Sequence, residues 1–253
     1  QTASHATTRV HFEPHANPSH WSDGGRGLDF EVLAHQDTFT RPLIALDLPG
    51  HGLNNSCNAG MTEFESLITE LANTLSEPFD LLGYSMGGRL ALWSALNLDL
   101  PLTKLYLVST TAGVQNEHER NERLAFDNKL IARLEQQPIP EFMDWWRTLP
   151  IIATQQRLPD PYLDRLLKGR NKQDPLGLIS AIFTFGSGRF SPLWEKLDQL
   201  PVPITLIVGA EDSKYLNLAH ELAKYIQDSW IKVISNAGHA PHLENTAAFG
   251  AAL

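Results

Sequence analysis

Residues 81–92, LLGYSMGGRLAL, pass from an apolar run through one serine into a stretch with the spacing of a helix. Gly83 to Gly87 fit the pattern G-x-S-x-G, in which a serine occupies a sharp turn between a strand and a helix. Glycines suit the flanking positions because side chains there would collide with the neighbouring strand and helix. The turn would expose the Ser85 hydroxyl and point the Met86 amide toward the same place. The stretch therefore predicts a nucleophile beside one oxyanion donor, whereas a glycine-rich turn with an incidental serine is the alternative.

The rest of the chain alternates short apolar runs with longer segments of helical spacing. This alternation is typical of β-α-β units and predicts the α/β class with a mostly parallel sheet. The runs predicted to be buried strands are 42–48, 79–84, 104–109, 203–209 and 230–235. Residues 116–200 consist instead of helical segments interrupted by prolines. We therefore expect one core formed by residues 1–115 and 201–253, with 116–200 inserted as a helical lid.

Composition and charge limit the classes of partner. The 253 residues include 20 Lys and Arg against 29 Asp and Glu, a formal net charge of −9. The sequence has no block of basic residues that could contact the phosphate backbone of a nucleic acid. We expect no nucleic-acid partner. No apolar run reaches the roughly 18 residues of a membrane span, and the first ten residues lack the features of a signal peptide, so no membrane association is expected. The only cysteine, Cys57, excludes an internal disulfide and fits a reducing cytoplasm, while nothing in the sequence indicates an oligomeric state.

A serine hydroxyl becomes a nucleophile when a histidine accepts its proton and an acid orients that histidine. The fourth predicted strand leads into Glu211 and Asp212, and the fifth leads into His239 on a loop that contains a glycine. Serine, acid and histidine then follow one another in the order that G-x-S-x-G enzymes show, each on a loop after a strand. The residues alone leave the acid open between Glu211 and Asp212, with Asp47 as a weaker rival. His242 is expected to be structural or to lie at the contact with the lid.

Longer motifs surround these residues. They are LDLPGHG (46–52), GYSMGGR (83–89), GAEDSK (209–214) and NAGHAPHLEN (236–245). Through them the chain resembles the α/β-hydrolase superfamily. The stretches TAGVQNEHERNER (111–123) and FMDWW (142–146) make it similar to the 2-succinyl-6-hydroxy-2,4-cyclohexadiene-1-carboxylate synthases of menaquinone biosynthesis, over about residues 42–250. The resemblance implies an α/β-hydrolase fold and a carbon–oxygen lyase that eliminates pyruvate without a metal or organic cofactor.

The resemblance also implies the residues that perform the reaction. It favours Asp212 as the acid that orients His239, which would take the proton of Ser85. The same triad in another α/β-hydrolase would cleave carboxylic esters or carbon–carbon bonds, so a serine hydrolase remains an alternative.

The implied substrate carries three carboxylates, and arginine binds a carboxylate through two parallel hydrogen bonds. By resemblance the residues that bind this anionic substrate are Arg89, Arg123 and Arg170, with Tyr84 and Trp145 as polar and aromatic lining. Each of them also has an ordinary explanation, because exposed arginines are usually solvated and a tryptophan in a lid is often part of its core.

Residues 9–35 depart from the family pattern. The family has an apolar strand ending in His-Gly here, and the loop after it supplies a second oxyanion amide. This sequence has no His-Gly pair and no run of four apolar residues in the segment, and Gly24 and Gly25 are the candidates for the second donor. The departure predicts a rebuilt or incomplete oxyanion hole, and it leaves a catalytically impaired binding protein as a further alternative.

Overall fold

The computed structural model describes residues 8–13, 43–55 and 59–253. Their strands form one six-stranded sheet with the order β2-β1-β3-β4-β5-β6, in which every neighbouring pair is parallel. The strands are β1 (Thr8–Glu13), β2 (Leu43–Asp47), β3 (Phe79–Tyr84), β4 (Leu102–Val108), β5 (Ile204–Gly209) and β6 (Ser229–Ile234). The predicted α/β class and the mostly parallel sheet are confirmed, and each of the five predicted strands is present.

The first strand, β1, is not among those predicted. It lies between β2 and β3, with Val10 in register with Ile44 on one side and with Leu81 on the other. Central strands of parallel sheets usually form continuous apolar runs, because both faces of the sheet are covered. In β1, apolar Val10 and Phe12 alternate with Arg9 and His11 instead. The alternation of period two was the available signal, and a search for apolar runs misses it.

Helices cover both faces of the sheet. In chain order they are α1 (Met61–Thr74), α2 (Met86–Asn97), α3 (Glu117–Gln136), α4 (Ile139–Trp146), α5 (Pro150–Ala153), α6 (Asp160–Arg170), α7 (Pro175–Phe185), α8 (Ser213–Tyr225), α9 (Pro241–Glu244) and α10 (Thr246–Ala252), with 3₁₀ helices at Thr154–Arg157 and Trp194–Gln199. No helix in the described ranges is both long and apolar enough to cross a membrane.

Alternate residues of the central strands pack on opposite faces of the sheet, as strand geometry requires. Leu81 and Leu107 belong to the larger core, against α1, α2 and α8. Leu82 and Val108 belong to a second core, which includes Phe249 of α10. Because the sheet is covered on both faces, the carboxyl ends of its strands are its natural position for a site.

The regular elements between β4 and β5 are all helices. We call α3 to α7 and the 3₁₀ helix Thr154–Arg157 the helical region. It has an apolar cluster of its own, formed by Leu130, Leu134, Ile139, Phe142, Met143 and Leu178. Helices α3 and α7 pack directly against each other. The helical region therefore has an apolar cluster of its own, while α6 and α7 also contribute Leu166, Ala181 and Phe185 to the two cores on the sheet.

Candidate active site

Ser85 lies at the turn between β3 and α2, where its backbone has φ 51° and ψ −110°. A positive φ is strained for a residue with a side chain and persists only where its surroundings impose it. A Cβ at Gly83 would collide with the backbone of Gly87, so the strand and the helix approach too closely for any other residue. The Thr110 hydroxyl donates to the Ser85 carbonyl at 2.6 Å and helps to hold the turn. The sequence pattern thus corresponds to a tight turn that presents the serine.

Three side chains from distant parts of the chain form a hydrogen-bonded series. His239 Nε2 lies 3.0 Å from Ser85 Oγ, and His239 Nδ1 lies 2.7 Å from Asp212 Oδ2. The carboxylate can only accept, so Nδ1 carries a proton toward it and Nε2 is left to accept the proton of the serine. This arrangement allows proton transfer from Ser85 to His239.

The structure also distinguishes the three candidate acids. Asp212 faces His239 and in addition caps α8, because its Oδ1 accepts from the Tyr215 amide at 3.3 Å. The Glu211 side chain pairs with Arg157 at 2.9 Å instead. Asp47 accepts from the Leu53 amide at 3.0 Å. Of the three, Asp212 alone contacts His239 among the contacts of the described residues.

His239 is 3% exposed and packs between two tyrosine rings. The Tyr215 ring centroid lies 4.5 Å from that of the imidazole, and the Tyr84 centroid lies 5.3 Å away. Burial raises the pKa of Tyr215 above its ordinary value, so this side chain stays a neutral phenol at physiological pH. The rings restrict the orientation of the imidazole and exclude water from its faces.

A cavity lies above Ser85, between the sheet edge and the helical region. Its polar wall includes Tyr84, Ser85, His239 and the predicted Arg89, Arg123 and Arg170. Its apolar wall comes largely from the helical region and includes Phe126, Leu130, Leu134, Phe142, Met143, Trp146, Leu149, Ile151 and Ile152. The cavity therefore combines Ser85 and its histidine partner with both cationic and apolar surface.

Arg89 is buried one helical turn after Ser85. Its Nη2 donates to the Phe185 carbonyl at 2.9 Å, and its Nε has no hydrogen-bond partner among the described residues. Burial lowers the pKa of Arg89 to about 10, which still leaves it a cation at neutral pH. A buried cation on a cavity wall is suited to an anionic ligand.

The other two predicted arginines reach the cavity from the helical region. Arg170, at the end of α6, is buried and donates to Gln155 Oε1 at 2.7 Å, while its Nε has no partner within the described ranges. Arg123 in α3 binds the buried Asp127 at 2.8 Å, so part of its charge is compensated. The structure brings all three arginines to the cavity of Ser85, although the chain as a whole is acidic.

The structure does not bring Trp145 to the cavity lining. Its ring packs against Phe142, with centroids 5.8 Å apart, and lies under the Arg133 guanidinium at 4.1 Å. The next residue, Trp146, lines the cavity instead. Successive residues of a helix point about 100° apart, and the sequence does not determine which of two tryptophans faces inward.

His51 and Tyr215 line the cavity as well, although sequence reasoning assigned neither to it. His51 belongs to the motif LDLPGHG, which was a signal for a residue near the site. It is buried, and burial lowers its pKa to about 4, so it is neutral at physiological pH. Tyr215 follows Asp212 by three residues, and its position on the first turn of α8 directs it to the same place.

The predicted oxyanion hole has two parts, and the structure describes one of them. Met86 is the first residue of α2 and lines the cavity, and first-turn amides of a helix have no partner within that helix. Its amide is therefore placed to donate to a ligand beside Ser85. Gly24 and Gly25, the predicted second donors, lie outside the described residues.

Known proteins share this sequence and architecture. The profile of the alpha/beta hydrolase family matches residues 13–252. The 2-succinyl-6-hydroxy-2,4-cyclohexadiene-1-carboxylate synthase of Salmonella heidelberg (strain SL476) is 32% identical over 208 residues, which cover 81% of this chain and 79% of that protein. The enzyme of the same name from Serratia proteamaculans (strain 568) is 28% identical over 217 residues, covering 84% and 81%.

A solved structure agrees with these relatives. MenH from S. aureus superimposes with a TM-score of 0.82 at 29% identity, covering 97% of this chain and 91% of that one. The family match spans nearly the whole chain, and the G-x-S-x-G turn, the parallel sheet and the strand-end loops are in the expected places. The chain belongs to the alpha/beta hydrolase family.

Proposed function

We propose that this protein is a 2-succinyl-6-hydroxy-2,4-cyclohexadiene-1-carboxylate synthase of menaquinone biosynthesis. It would eliminate pyruvate from 2-succinyl-5-enolpyruvyl-6-hydroxy-3-cyclohexene-1-carboxylate. The observation that carries the proposal is one cavity lined by Ser85, His239, Arg89 and Arg170, with Asp212 hydrogen-bonded to His239. The names of relatives at 32% identity support the same reaction.

The reaction begins with removal of a proton. His239, oriented by Asp212, accepts the Ser85 proton, and the serine oxygen removes the acidic ring proton next to the succinyl carbonyl. The electron pair of that C–H bond moves into the ring and gives a conjugated diene. The bond between the ring and the enolpyruvyl oxygen breaks, and pyruvate leaves after a proton is returned to its enolate.

The cavity also provides stabilisation for the charges of this reaction. Negative charge that develops on the acyl oxygen would be met by the Met86 amide and the positive end of α2. The arginines would hold the carboxylates of substrate and leaving group, since each guanidinium forms directed hydrogen bonds to a carboxylate. We also propose that the helical region acts as the lid, because it supplies most of the apolar wall. A hydrolase acting on simple esters is less favoured, since neutral esters do not require buried cations.

The proposal is tested by measuring pyruvate release from the enolpyruvyl substrate with Ser85→Ala beside the unaltered protein. We expect the variant to fold normally and to lose at least about 10³-fold in kcat, the scale on which removal of a triad nucleophile acts. Near-normal turnover by Ser85→Ala would contradict the proposal. Hydrolysis of a neutral p-nitrophenyl ester in the absence of pyruvate release would favour the hydrolase.

A further inference from the structure

A buried carboxylate outside the triad holds the loop that carries His239. Glu244 is the last residue of α9, and its side chain is 3% exposed. Its Oε2 accepts from the Gly238 amide at 2.9 Å, and its Oε1 accepts from the Ala240 amide at 3.1 Å. These two amides flank His239 on either side. A single carboxylate therefore fixes the backbone before and after the imidazole.

The short helix α9 explains how Glu244 reaches this place. Its four residues, Pro241–Glu244, turn the chain back after His239, and the Glu244 amide donates to the Ala240 carbonyl at 2.9 Å. The side chain then lies over the loop that the chain has just left. Hydrogen bonds to a carboxylate are about twice as strong as those between neutral groups, so the loop is held firmly.

The same carboxylate also contacts the helical region. The Thr154 hydroxyl donates to Glu244 Oε1 at 3.1 Å, and Arg157 Nη2 lies 3.4 Å from Oε2. Both residues belong to the 3₁₀ helix that follows α5. A Cβ on Gly238 would collide with the Thr154 side chain, so this helix packs directly on the histidine loop. Glu244 is thus shared between the catalytic loop and the helical region.

The segment that contacts Glu244 reaches the cavity too. We call residues 149–157 the bridging segment. Its Ile151 and Ile152 line the cavity, and its Gln155 accepts from the cavity residue Arg170. Contacts with a bound substrate and contacts with Glu244 therefore lie within one stretch of nine residues. A shift of this stretch would move the partners of the histidine loop.

We propose that Glu244 is a positioning residue, which holds the His239 imidazole within hydrogen-bond distance of Ser85. Through the contacts of Glu244, the position of His239 also depends on how the bridging segment packs. The proposal rests on the proposed function, because it takes His239 as the base. Glu244 contacts the backbone on both sides of the imidazole and acts through it. Positions matter at this scale, since a misplacement of about 1 Å can reduce a rate about 100-fold.

The first test is Glu244→Gln. Glutamine has one acceptor oxygen where the carboxylate has two, so one of the two loop amides would face an NH₂ group that cannot accept. We expect kcat for pyruvate release to fall about 10- to 100-fold while KM changes less than about threefold, since substrate contacts are preserved. We also expect the downfield proton NMR signal of the His239 Nδ1–H, shared with Asp212, to shift or broaden.

The matched control is Glu211→Gln. Glu211 shares Arg157 with Glu244, but its side chain binds neither loop amide in the described contacts. We expect its kcat to stay within about twofold of the unaltered protein, because a partly exposed ion pair contributes little. The NMR signal of the His239 Nδ1–H should not change in this variant. The comparison separates the loss of the amide contacts from the loss of a surface charge.

The link to the bridging segment is tested with Thr154→Val, which removes the hydroxyl and preserves the size. We expect a decrease in kcat of only about threefold, because one hydrogen bond to Glu244 is lost while both loop amides keep theirs. In the double variant with Glu244→Gln, the two decreases should be less than multiplicative, because both changes remove parts of one network. Multiplicative decreases would overturn the link between the segment and the histidine.

The positioning role is overturned if Glu244→Gln keeps kcat within about twofold of the unaltered protein. It is also overturned if kcat falls while the imidazole signal and the pH profile of kcat are unchanged, since a general loss of stability would then explain the decrease. Should Glu244→Gln fail to fold, Glu244→Asp retains the charge and is judged by the same measurements. Retained pyruvate release in Ser85→Ala overturns the proposed function instead, and the NMR signal tests the position of His239 independently of activity.

Discussion

The edge of the sheet and the helical region contribute different parts of the site. Ser85, Asp212 and His239 stand on loops directly after β3, β5 and β6, where the sheet fixes the backbone. The helical region, which has an apolar cluster of its own, contributes Arg123, Arg170, Trp146 and most of the apolar wall. The sheet edge thus supplies the proposed proton transfer, and the helical region supplies most of the surface that would select a substrate. Arg89, on α2 beside the serine, joins the two.

The largest effect on kcat is expected when the acid at the edge of the sheet is changed. Asp212→Asn keeps the oxygen that caps α8 but can present an NH₂ group to His239 Nδ1, which favours the wrong tautomer. We expect kcat for pyruvate release to fall about 10⁴-fold, as in other triads, with little change in melting temperature. The control is Asp47→Asn, an acid that also ends a strand, and its kcat should remain within about threefold. Equal losses in the two variants would contradict the role of Asp212.

Arg89→Met tests the residue between the two parts. It replaces a buried cation with an apolar side chain of similar length, so we expect kcat/KM to fall about 100-fold through lost contact with a substrate carboxylate. The melting temperature should be unchanged or higher, because replacing a poorly compensated buried charge is often stabilising.

The control for Arg89 is Arg120→Met. Arg120 donates to the Gly188 carbonyl at 2.8 Å and is not part of the cavity lining. Steady-state kinetics with the enolpyruvyl substrate should show no more than about a twofold change for this variant. Similar losses in kcat/KM for Arg89→Met and Arg120→Met would argue against a specific carboxylate site at Arg89.

Two adjacent tryptophans allow a cavity residue and a non-cavity residue of the helical region to be compared. Trp146→Ala removes part of the cavity wall, and we expect kcat/KM to fall about 30-fold, which corresponds to about 2 kcal/mol of lost burial. Trp145→Ala removes a ring that packs on Arg133 and Phe142 outside the lining, so its kcat/KM should change less than about threefold. A larger decrease in kcat/KM for Trp145→Ala than for Trp146→Ala would favour Trp145, the residue that the resemblance implied.

The smallest expected effect is the contribution of Asp47 to the pH dependence of the free energy of unfolding. Burial raises the pKa of Asp47 to about 7 from 3.8, so between these values the folded protein holds a proton that the unfolded chain has released. The contribution of Asp47 to the free energy of unfolding is therefore present at low pH and is lost as the pH rises toward 7. Asp47→Asn removes this dependence.

Urea unfolding of both proteins at pH 5 and pH 6 measures this effect. We expect the free energy of unfolding of Asp47→Asn, minus that of the unaltered protein, to increase by about 1.4 kcal/mol over this one pH unit. Other titrating groups, His51 included, are common to both proteins and largely cancel in the difference. A difference that does not change with pH would show that the carboxyl is ionised in the folded protein.

The sequence predicted the structure best where local patterns carry the signal. The apolar runs predicted the strands from β2 to β6, and the glycines around Ser85 predicted a turn whose backbone only small neighbours permit. It missed β1 because an alternating strand differs from an apolar run. It named Trp145 where Trp146 faces the cavity, because neighbouring residues on a helix differ in direction and not in local pattern.

The sequence by itself determined the parallel sheet, the strained serine turn and the order of serine, acid and histidine, because these depend on local spacing and on the rule that strand ends meet at one edge. Only the tertiary structure decided that Asp212 and not Glu211 faces His239, and that Arg89 and Arg170 line the same cavity. It alone showed that Glu244 binds the amides on both sides of His239. Such contacts join side chains from separate elements, and their partners are set by packing, which no single stretch of sequence encodes.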